Sequence, residues 1–109
     1  MSERIKLVYG DTGPQIKLSF TDEITGLPSN LTGATVTLHF RAVDTDTILF
    51  SRVALMTDAV QGICIIDWEP GDLDQDAGDY EGEVEVIRAN GTKETLYDLL
   101  RFRIREAFA

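Results

Sequence analysis

The segment GDLDQDAGDYEGE, residues 71–83, decides the fold of this chain because it fits two different structures. Its acidic residues occupy positions 1, 3, 5 and 12 of an EF-hand calcium loop: Asp72, Asp74, Asp76 and Glu83. The segment also contains D-x-G-x-Y, the approach to a buried tyrosine at the corner of a β-sandwich. In the first interpretation it binds a metal, and in the second it is a turn between two strands.

The neighbouring sequence argues against an EF-hand. An EF-hand loop lies between two helices, whereas the flanking sequences here, GICIIDWEP and GEVEVIRANG, are typical of strands. The sixth loop position, which requires glycine for its sharp turn, is Ala77. A looser calcium site formed by Asp72, Asp74 and Asp76 stays open as an alternative, but carboxylates on a surface loop are more commonly solvated. We therefore predict a turn, with no bound metal and no cofactor.

Three residues favour the tyrosine-corner interpretation. Trp68 ends the preceding strand and is expected to fill part of the core. Gly78 permits an unusual φ, and Tyr80 then begins the next strand with its ring inward. A buried tyrosine needs a hydrogen-bond partner, which a backbone group upstream in the turn supplies. Secreted immunoglobulins have a cysteine two residues after this tyrosine; here the residue is Gly82, so the core must depend on packing alone.

Apolar and polar residues alternate along much of the chain, as in strands with one buried face. The clearest examples are QIKLSFT (15–21), ATVTLHFRA (34–42), YEGEVEV (80–86) and LLRFRIRE (99–106). GICIIDW is apolar on both faces, which indicates a central strand. Asn90-Gly91 is the strongest hairpin signal, since both residues tolerate positive φ. The sequence therefore predicts an all-β fold: one antiparallel β-sandwich of about seven to eight strands, spanning residues 1–109.

The composition disfavours several classes of function. The 10 basic and 19 acidic residues give a net charge of −9, which disfavours binding to nucleic acid or to anionic membranes. No stretch approaches the roughly 20 apolar residues of a membrane span. The single cysteine, Cys64, lies in an apolar run and is expected to be buried, and the single histidine, His39, is expected to face solvent. With no nucleophile and base at a useful spacing, we expect a protein that is not an enzyme.

The order of the turn residues resembles that of the immunoglobulin-like domain at the N-terminus of phage baseplate upper proteins. It is similar to small domains of tail fibres and other tail proteins too. The shared features are GDT (10–12), NLTGATV (30–36), Trp68, GD (71–72), AG (77–78), Tyr80 and NG (90–91). This resemblance implies an immunoglobulin-like sandwich that is made in the host cytoplasm and becomes a structural part of the virion tail or baseplate. It also implies several copies or a homo-oligomer, docked to other tail proteins.

The last strand carries a candidate partner-binding site, because Arg101, Arg103 and Arg105 are three of the ten basic residues of an acidic protein. A plain hairpin centred on Asn90-Gly91 would place Arg101 opposite Tyr80 and leave the other two arginines beyond the start of the partner strand. We therefore hypothesise that the three arginines dock an acidic surface of a neighbouring subunit, such as the glutamates of a second copy. A bulge in LYDLL would change this register, and a simply solvated face is the alternative.

Two other functions remain open for the same architecture. A carbohydrate-binding module would need exposed aromatic side chains, but most of the nine aromatic residues fall at inward-facing positions. A capsid decoration or head–tail protein would share the fold and the absence of catalytic groups. The sequence therefore favours a structural or adaptor role in the tail over both alternatives.

Overall fold

The computed structural model describes residues 4–108, so residues 1–3 and 109 of the predicted domain lie outside the described part. Residues 4–108 form nine short strands and one turn of 3₁₀ helix, Ala59–Gln61. The strands are β1 (Ile5–Val8), β2 (Ile16–Ser19), β3 (Thr35–Ala42), β4 (Phe50–Val53), β5 (Leu55–Asp58), β6 (Ile63–Ile66), β7 (Gly78–Ile87), β8 (Lys93–Thr95) and β9 (Leu100–Arg105). No helix in this range is long and apolar enough to cross a membrane.

The strands form two sheets. The larger sheet has the order β1-β9-β7-β3-β4, with β8 also paired to β7, and the smaller sheet has the order β2-β6-β5. The strand pairs are antiparallel except β1 and β9, which run parallel. The chain passes from the larger to the smaller sheet at Ala54, between β4 and β5. The predicted all-β sandwich is confirmed, and GICIIDW supplies the central strand of the smaller sheet, β6.

The core lies between the sheets and contains the apolar residues that alternation assigned to the inner faces. Val36, Leu38 and Phe40 of β3 are fully buried, while the residues between them are partly or fully exposed. Cys64 of β6 is also fully buried, as expected, and this burial raises the pKa of its thiol. Aromatic rings cluster in one part of the core, where Phe40 is surrounded by Phe50, Trp68, Tyr80 and Phe102.

Trp68 packs as predicted, and its one polar atom is satisfied. Its ring meets those of Phe40 and Phe102 edge to face at 5.9 Å. Its Nε1–H donates to the carbonyl oxygen of Pro14 at 2.7 Å. A buried indole therefore packs against apolar rings and leaves no orphan donor.

Residues 71–77, which carry three aspartates of segment 71–83, form a turn that leads into β7. Strands β6 and β7 lie on either side of it, which excludes the helix–loop–helix geometry of an EF-hand. Tyr80 is 6% exposed, and its hydroxyl donates to the carbonyl oxygen of Asp76 at 2.5 Å. Gly78, which precedes it, has φ +156°, with open space where a side chain would lie. The predicted bond from the tyrosine hydroxyl to the turn is therefore present.

Replacing Tyr80 by phenylalanine should lower the free energy of unfolding by about 1 kcal/mol, because the change removes one hydrogen bond and keeps the ring. Urea denaturation of both proteins measures the difference. Burial raises the pKa of Tyr80 above the ordinary value of 10.0, since it favours the neutral phenol in the folded state. The tyrosine protein therefore keeps its full stability below pH 10 and loses stability as the pH rises further. The difference in the free energy of unfolding between the two proteins should therefore become smaller above pH 10. A difference that stays constant would contradict the explanation by burial of the phenol.

Gly82 lies at the position where secreted immunoglobulins have a cysteine. Because it has no side chain, core residues pack directly against its backbone. A Cβ atom at Gly82 would lie 2.6 Å from Cδ1 of Leu38 and 3.0 Å from the ring of Phe102. Both distances are shorter than normal carbon–carbon contacts. Large apolar side chains thus occupy the space above this residue.

The hairpin at Asn90-Gly91 differs from the predicted two-residue turn. The Gly91 N–H donates to the Arg88 carbonyl and the Arg88 N–H donates to the Thr92 carbonyl, both at 2.8 Å, so the loop has three residues. Only Gly91 adopts positive φ, at +89°, whereas Asn90 does not. This is the three-residue hairpin in which a glycine follows a type I turn. The hydrogen-bonding side chain of Asn90 accepts from the Thr92 N–H at 3.0 Å.

A bulge between β8 and β9 shifts the register a second time. The Leu96 N–H still donates to the Val84 carbonyl, but Leu100 pairs with Gly82, so residues 97–99 all oppose Glu83. The bulge projects Tyr97, which is 98% exposed. The prediction that Arg101 faces Tyr80 is therefore wrong: Arg101 lies opposite Glu81, because the extra residues of the bulge move β9 along β7.

Candidate functional site

The candidate site lies on the outer face of the larger sheet, where β9 and β1 run side by side. The pleat that buries Phe102 and Ile104 turns Arg101, Arg103 and Arg105 to solvent. The parallel pairing of β1 then places Lys6 beside Arg103. We call the following residues the basic strip: Arg4, Lys6, Arg101, Arg103 and Arg105.

The basic strip is only partly neutralised by acidic residues. Asp79 of β7 accepts from Arg103 at 3.1 Å and lies 3.2 Å from Arg4. Arg103 was expected to run beyond the start of β7, and that expectation is wrong because β7 begins at Gly78, opposite Ile104. Arg105 does lie beyond β7, where its guanidinium stacks over the ring of Phe108 at 5.3 Å.

Arg101 and Lys6 pair with no carboxylate in the part of the chain that the structure describes. Arg101 lies opposite Glu81, but that carboxylate instead accepts from Nε of Arg41 on β3 at 2.7 Å. The acidic side chains here are also less exposed to solvent than the basic ones: the side chain of Glu81 is 10% exposed and that of Asp79 is 35% exposed, whereas that of Arg103 is 57% exposed. The surface that meets solvent here is therefore basic, on a protein of net charge −9.

A small pocket adjoins the basic strip between the bulge and the loop that joins β3 to β4. Its volume is about 80 Å³, and its lining consists of His39, Arg41, Ile48, Glu81, Glu83 and Leu99. Pockets that hold small-molecule ligands are several times larger, at roughly 300–1,000 Å³. This pocket is therefore too small for a ligand of that kind.

His39 and Ser51 form a pair that sequence reasoning missed. Nδ1 of His39 and Oγ of Ser51 are 2.6 Å apart, because β4 places Ser51 directly opposite His39. Glu85 lies 3.9 Å from Nε2 of His39, but it is closer to Lys93, at 3.2 Å. The pair lies on a sheet face, and the pocket beside His39 is too small for a substrate, which favours a cross-strand hydrogen bond over nucleophilic catalysis. The pairing of β3 with β4 could not be assigned from alternation, so no sequence signal identified it.

Asp72, the first acidic residue of segment 71–83, is hydrogen-bonded within the protein. Its carboxylate accepts from Nε of Arg52 at 2.7 Å, from Nη2 of Arg52, and from the Glu69 N–H at 2.8 Å. The hydrogen bond to Asp72, followed by its charge, raises the pKa of Arg52. Asp72 is 5% exposed, so this carboxylate is not available to the looser calcium site that the sequence left open. Residues 4–108 contain no group of three His, Cys, Asp or Glu side chains arranged to hold a metal.

A wider, open hollow lies at the end of the sandwich next to the tyrosine corner. Its volume is about 530 Å³, and it is lined by Tyr9, Asp76, Ala77, Glu106 and Ala107. Two carboxylates, one phenol and two methyl groups provide few converging polar groups for a ligand. The basic strip is therefore the stronger candidate site.

No family model matches this chain, and no curated protein sequence matches it significantly. Function must therefore be argued from the surface chemistry and from the resemblance in the order of the turn residues.

Proposed function

We propose that this chain is a non-enzymatic structural adaptor of a bacteriophage tail or baseplate, present in several copies and docked to other virion proteins. The observation that carries the docking role is the basic strip, an exposed cationic surface on an acidic protein. Such a surface is complementary to acidic protein surfaces, and complementary charge guides both the rate and the orientation of association.

The strand order supports an immunoglobulin-like fold. The order β9-β7-β3-β4 corresponds to strands G-F-C-C′ of an immunoglobulin variable domain, and β2-β6-β5 corresponds to B-E-D. The hydrogen bond from Tyr80 to Asp76 supports it further, since such a tyrosine corner is typical of these domains. A fold of this kind has many functions, so the tail assignment depends on the resemblance and not on the fold.

The location in the virion is tested by mass spectrometry of purified particles of the phage that encodes this chain. We expect the chain in the tail fraction, with crosslinks from Lys6 to acidic residues of a neighbouring tail protein. Its absence from particles would overturn the tail assignment, and its presence in the capsid fraction would favour a decoration protein.

Reversing two charges of the basic strip should weaken docking about tenfold at physiological salt. The variant carries Arg101→Glu and Arg105→Glu, which change side chains that no carboxylate within residues 4–108 neutralises. The control for net charge carries Lys17→Glu and Lys93→Glu, two exposed reversals on β2 and β8 outside the basic strip, and should have a much smaller effect. Incorporation into particles is the measurement. Equal loss in the variant and the control would show that net charge alone matters and would contradict a specific surface.

A further inference from the structure

The edges of the two sheets differ in how they are protected from pairing with other strands. Edge strands expose unpaired backbone groups, and proteins commonly blunt them with charged residues, above all lysine. The edge strand β1 carries Lys6, β2 carries Lys17, and the open side of β8 carries Lys93. These three edges are therefore protected in the usual way.

The remaining edge is formed by β4 and β5, and it lacks that protection. These strands are the last in their respective sheets and follow each other directly in the chain. Residues 47–57, TILFSRVALMT, contain no glycine, no proline and one charge, Arg52, which Asp72 neutralises; the other charge of the two strands is Asp58, the last residue of β5. High β propensity with low charge is the composition that favours pairing with another strand.

The side chains of this edge are exposed as well as apolar. The residues concerned are Leu49, directly before β4, 43% exposed; Val53, 62%; and Leu55, 54%. Three such side chains along one edge are characteristic of an interaction surface rather than of scattered surface apolar residues.

The backbone of β4 is also oriented for pairing. The Ala54 N–H donates to the Val36 carbonyl at 2.8 Å, so Ala54 points its backbone groups towards β3. Because these directions alternate along an antiparallel strand, Ser51 and Val53 point theirs away from β3, towards the open edge. The edge therefore presents both donors and acceptors to an incoming strand.

We propose that a second copy of this chain pairs with this edge, antiparallel and through β4, to form a symmetric dimer. The edge carries little charge, so the strand that complements it is also one of low charge. The same strand, β4, of a second copy meets this condition. A two-fold axis at Arg52 places Ser51 of each copy opposite Val53 of the other, so the pairing lies within β4. Such a self-complementary contact is the usual interface of a homodimer, and it joins the two larger sheets into one.

This dimer is independent of the proposed tail function, since it depends only on the β4–β5 edge and not on the basic strip. Copies with a net charge of −9 repel one another, and the contact forms at a part of the surface where that charge is absent. Salt should therefore strengthen the dimer by screening this repulsion. Salt should weaken docking through the basic strip, so the two interactions respond oppositely.

Analytical ultracentrifugation over a concentration series tests the dimer. We expect reversible dimerisation of the unmodified chain and at least tenfold weaker dimerisation of Val53→Lys. The matched control is Leu27→Lys, because Leu27 is 63% exposed but lies in the loop between β2 and β3. Leu27→Lys and the variant with Arg101→Glu and Arg105→Glu should both dimerise like the unmodified chain. If Val53→Lys fails to fold, Ser51→Lys tests the same pairing, because Ser51 is exposed on β4 and lies opposite Val53 of the second copy.

Two results would overturn the proposal. One is an unmodified chain that stays monomeric across the series, and the other is a folded Val53→Lys or Ser51→Lys protein that dimerises normally. A synthetic peptide of residues 48–56 should compete with the dimer. Binding of this peptide to a chain that never dimerises would assign the edge to a strand from another protein, and would likewise overturn pairing between copies.

Discussion

Replacing Phe40 by alanine should lower the free energy of unfolding by about 4 kcal/mol. Phe40 is fully buried, and its ring centroid lies 4.7 Å from that of Phe50, 5.1 Å from that of Phe102 and 5.3 Å from that of Tyr80. The change removes a ring that contacts Phe50 of β4, Phe102 of β9 and the tyrosine of the corner, Tyr80. The neighbouring rings are held by separate strands and cannot fill the cavity without moving those strands, so little of the loss is recovered.

Phe108→Ala is the matched control, because the same substitution there removes a ring that is fully exposed. Urea denaturation should give nearly unchanged stability for this control and a much lower midpoint for Phe40→Ala. A loss below about 1 kcal/mol at Phe40 would indicate a core that relaxes freely, contrary to the packing described.

The burial of Phe40 could be predicted from sequence because side-chain alternation is a local property of a strand. The period of two assigned the inner faces of β2, β3, β7 and β9 without any knowledge of strand order. Tyr80 could be assigned for a similar reason, since its hydrogen-bond acceptor, Asp76, lies only four residues upstream. Both features depend on short stretches of chain.

Strand register could not be predicted, because it depends on how many residues each turn and bulge contains. Alternation places Arg101, Arg103 and Arg105 on the outer face in any register. Their partners, however, were set by the three-residue hairpin and by residues 97–99 of the bulge. One extra residue in either feature changes every pair on β9.

The full extent of the basic strip depends on contacts between distant parts of the chain. Arg4 and Lys6 join the arginines of β9 because the first described strand runs parallel to the last. The Arg52–Asp72 pair similarly joins β4 to the acidic turn, 20 residues later. A charge count cannot distinguish an aspartate that faces solvent from one that accepts three hydrogen bonds, so the acidic turn resembled a metal loop in sequence.

Replacing Arg52 by alanine should lower the free energy of unfolding by about 3 kcal/mol, because it leaves the buried Asp72 carboxylate without its cation. Asp72 is 5% exposed, and water cannot easily replace the two guanidinium donors. The expected loss lies at the lower end of the range for broken buried pairs, since the Arg52 side chain is itself 22% exposed. Thermal and urea denaturation measure the loss.

The matched control is Arg103→Ala, which breaks the exposed pair with Asp79 and should cost less than about 1 kcal/mol. The double variant Arg52→Ala with Asp72→Ala separates the two possible causes of the loss. If the unpaired charge is responsible, the double variant should be more stable than the sum of the two single losses predicts. Strictly additive losses would show that Arg52 and Asp72 stabilise the turn separately, through packing over Phe50 and through the bond to the Glu69 N–H.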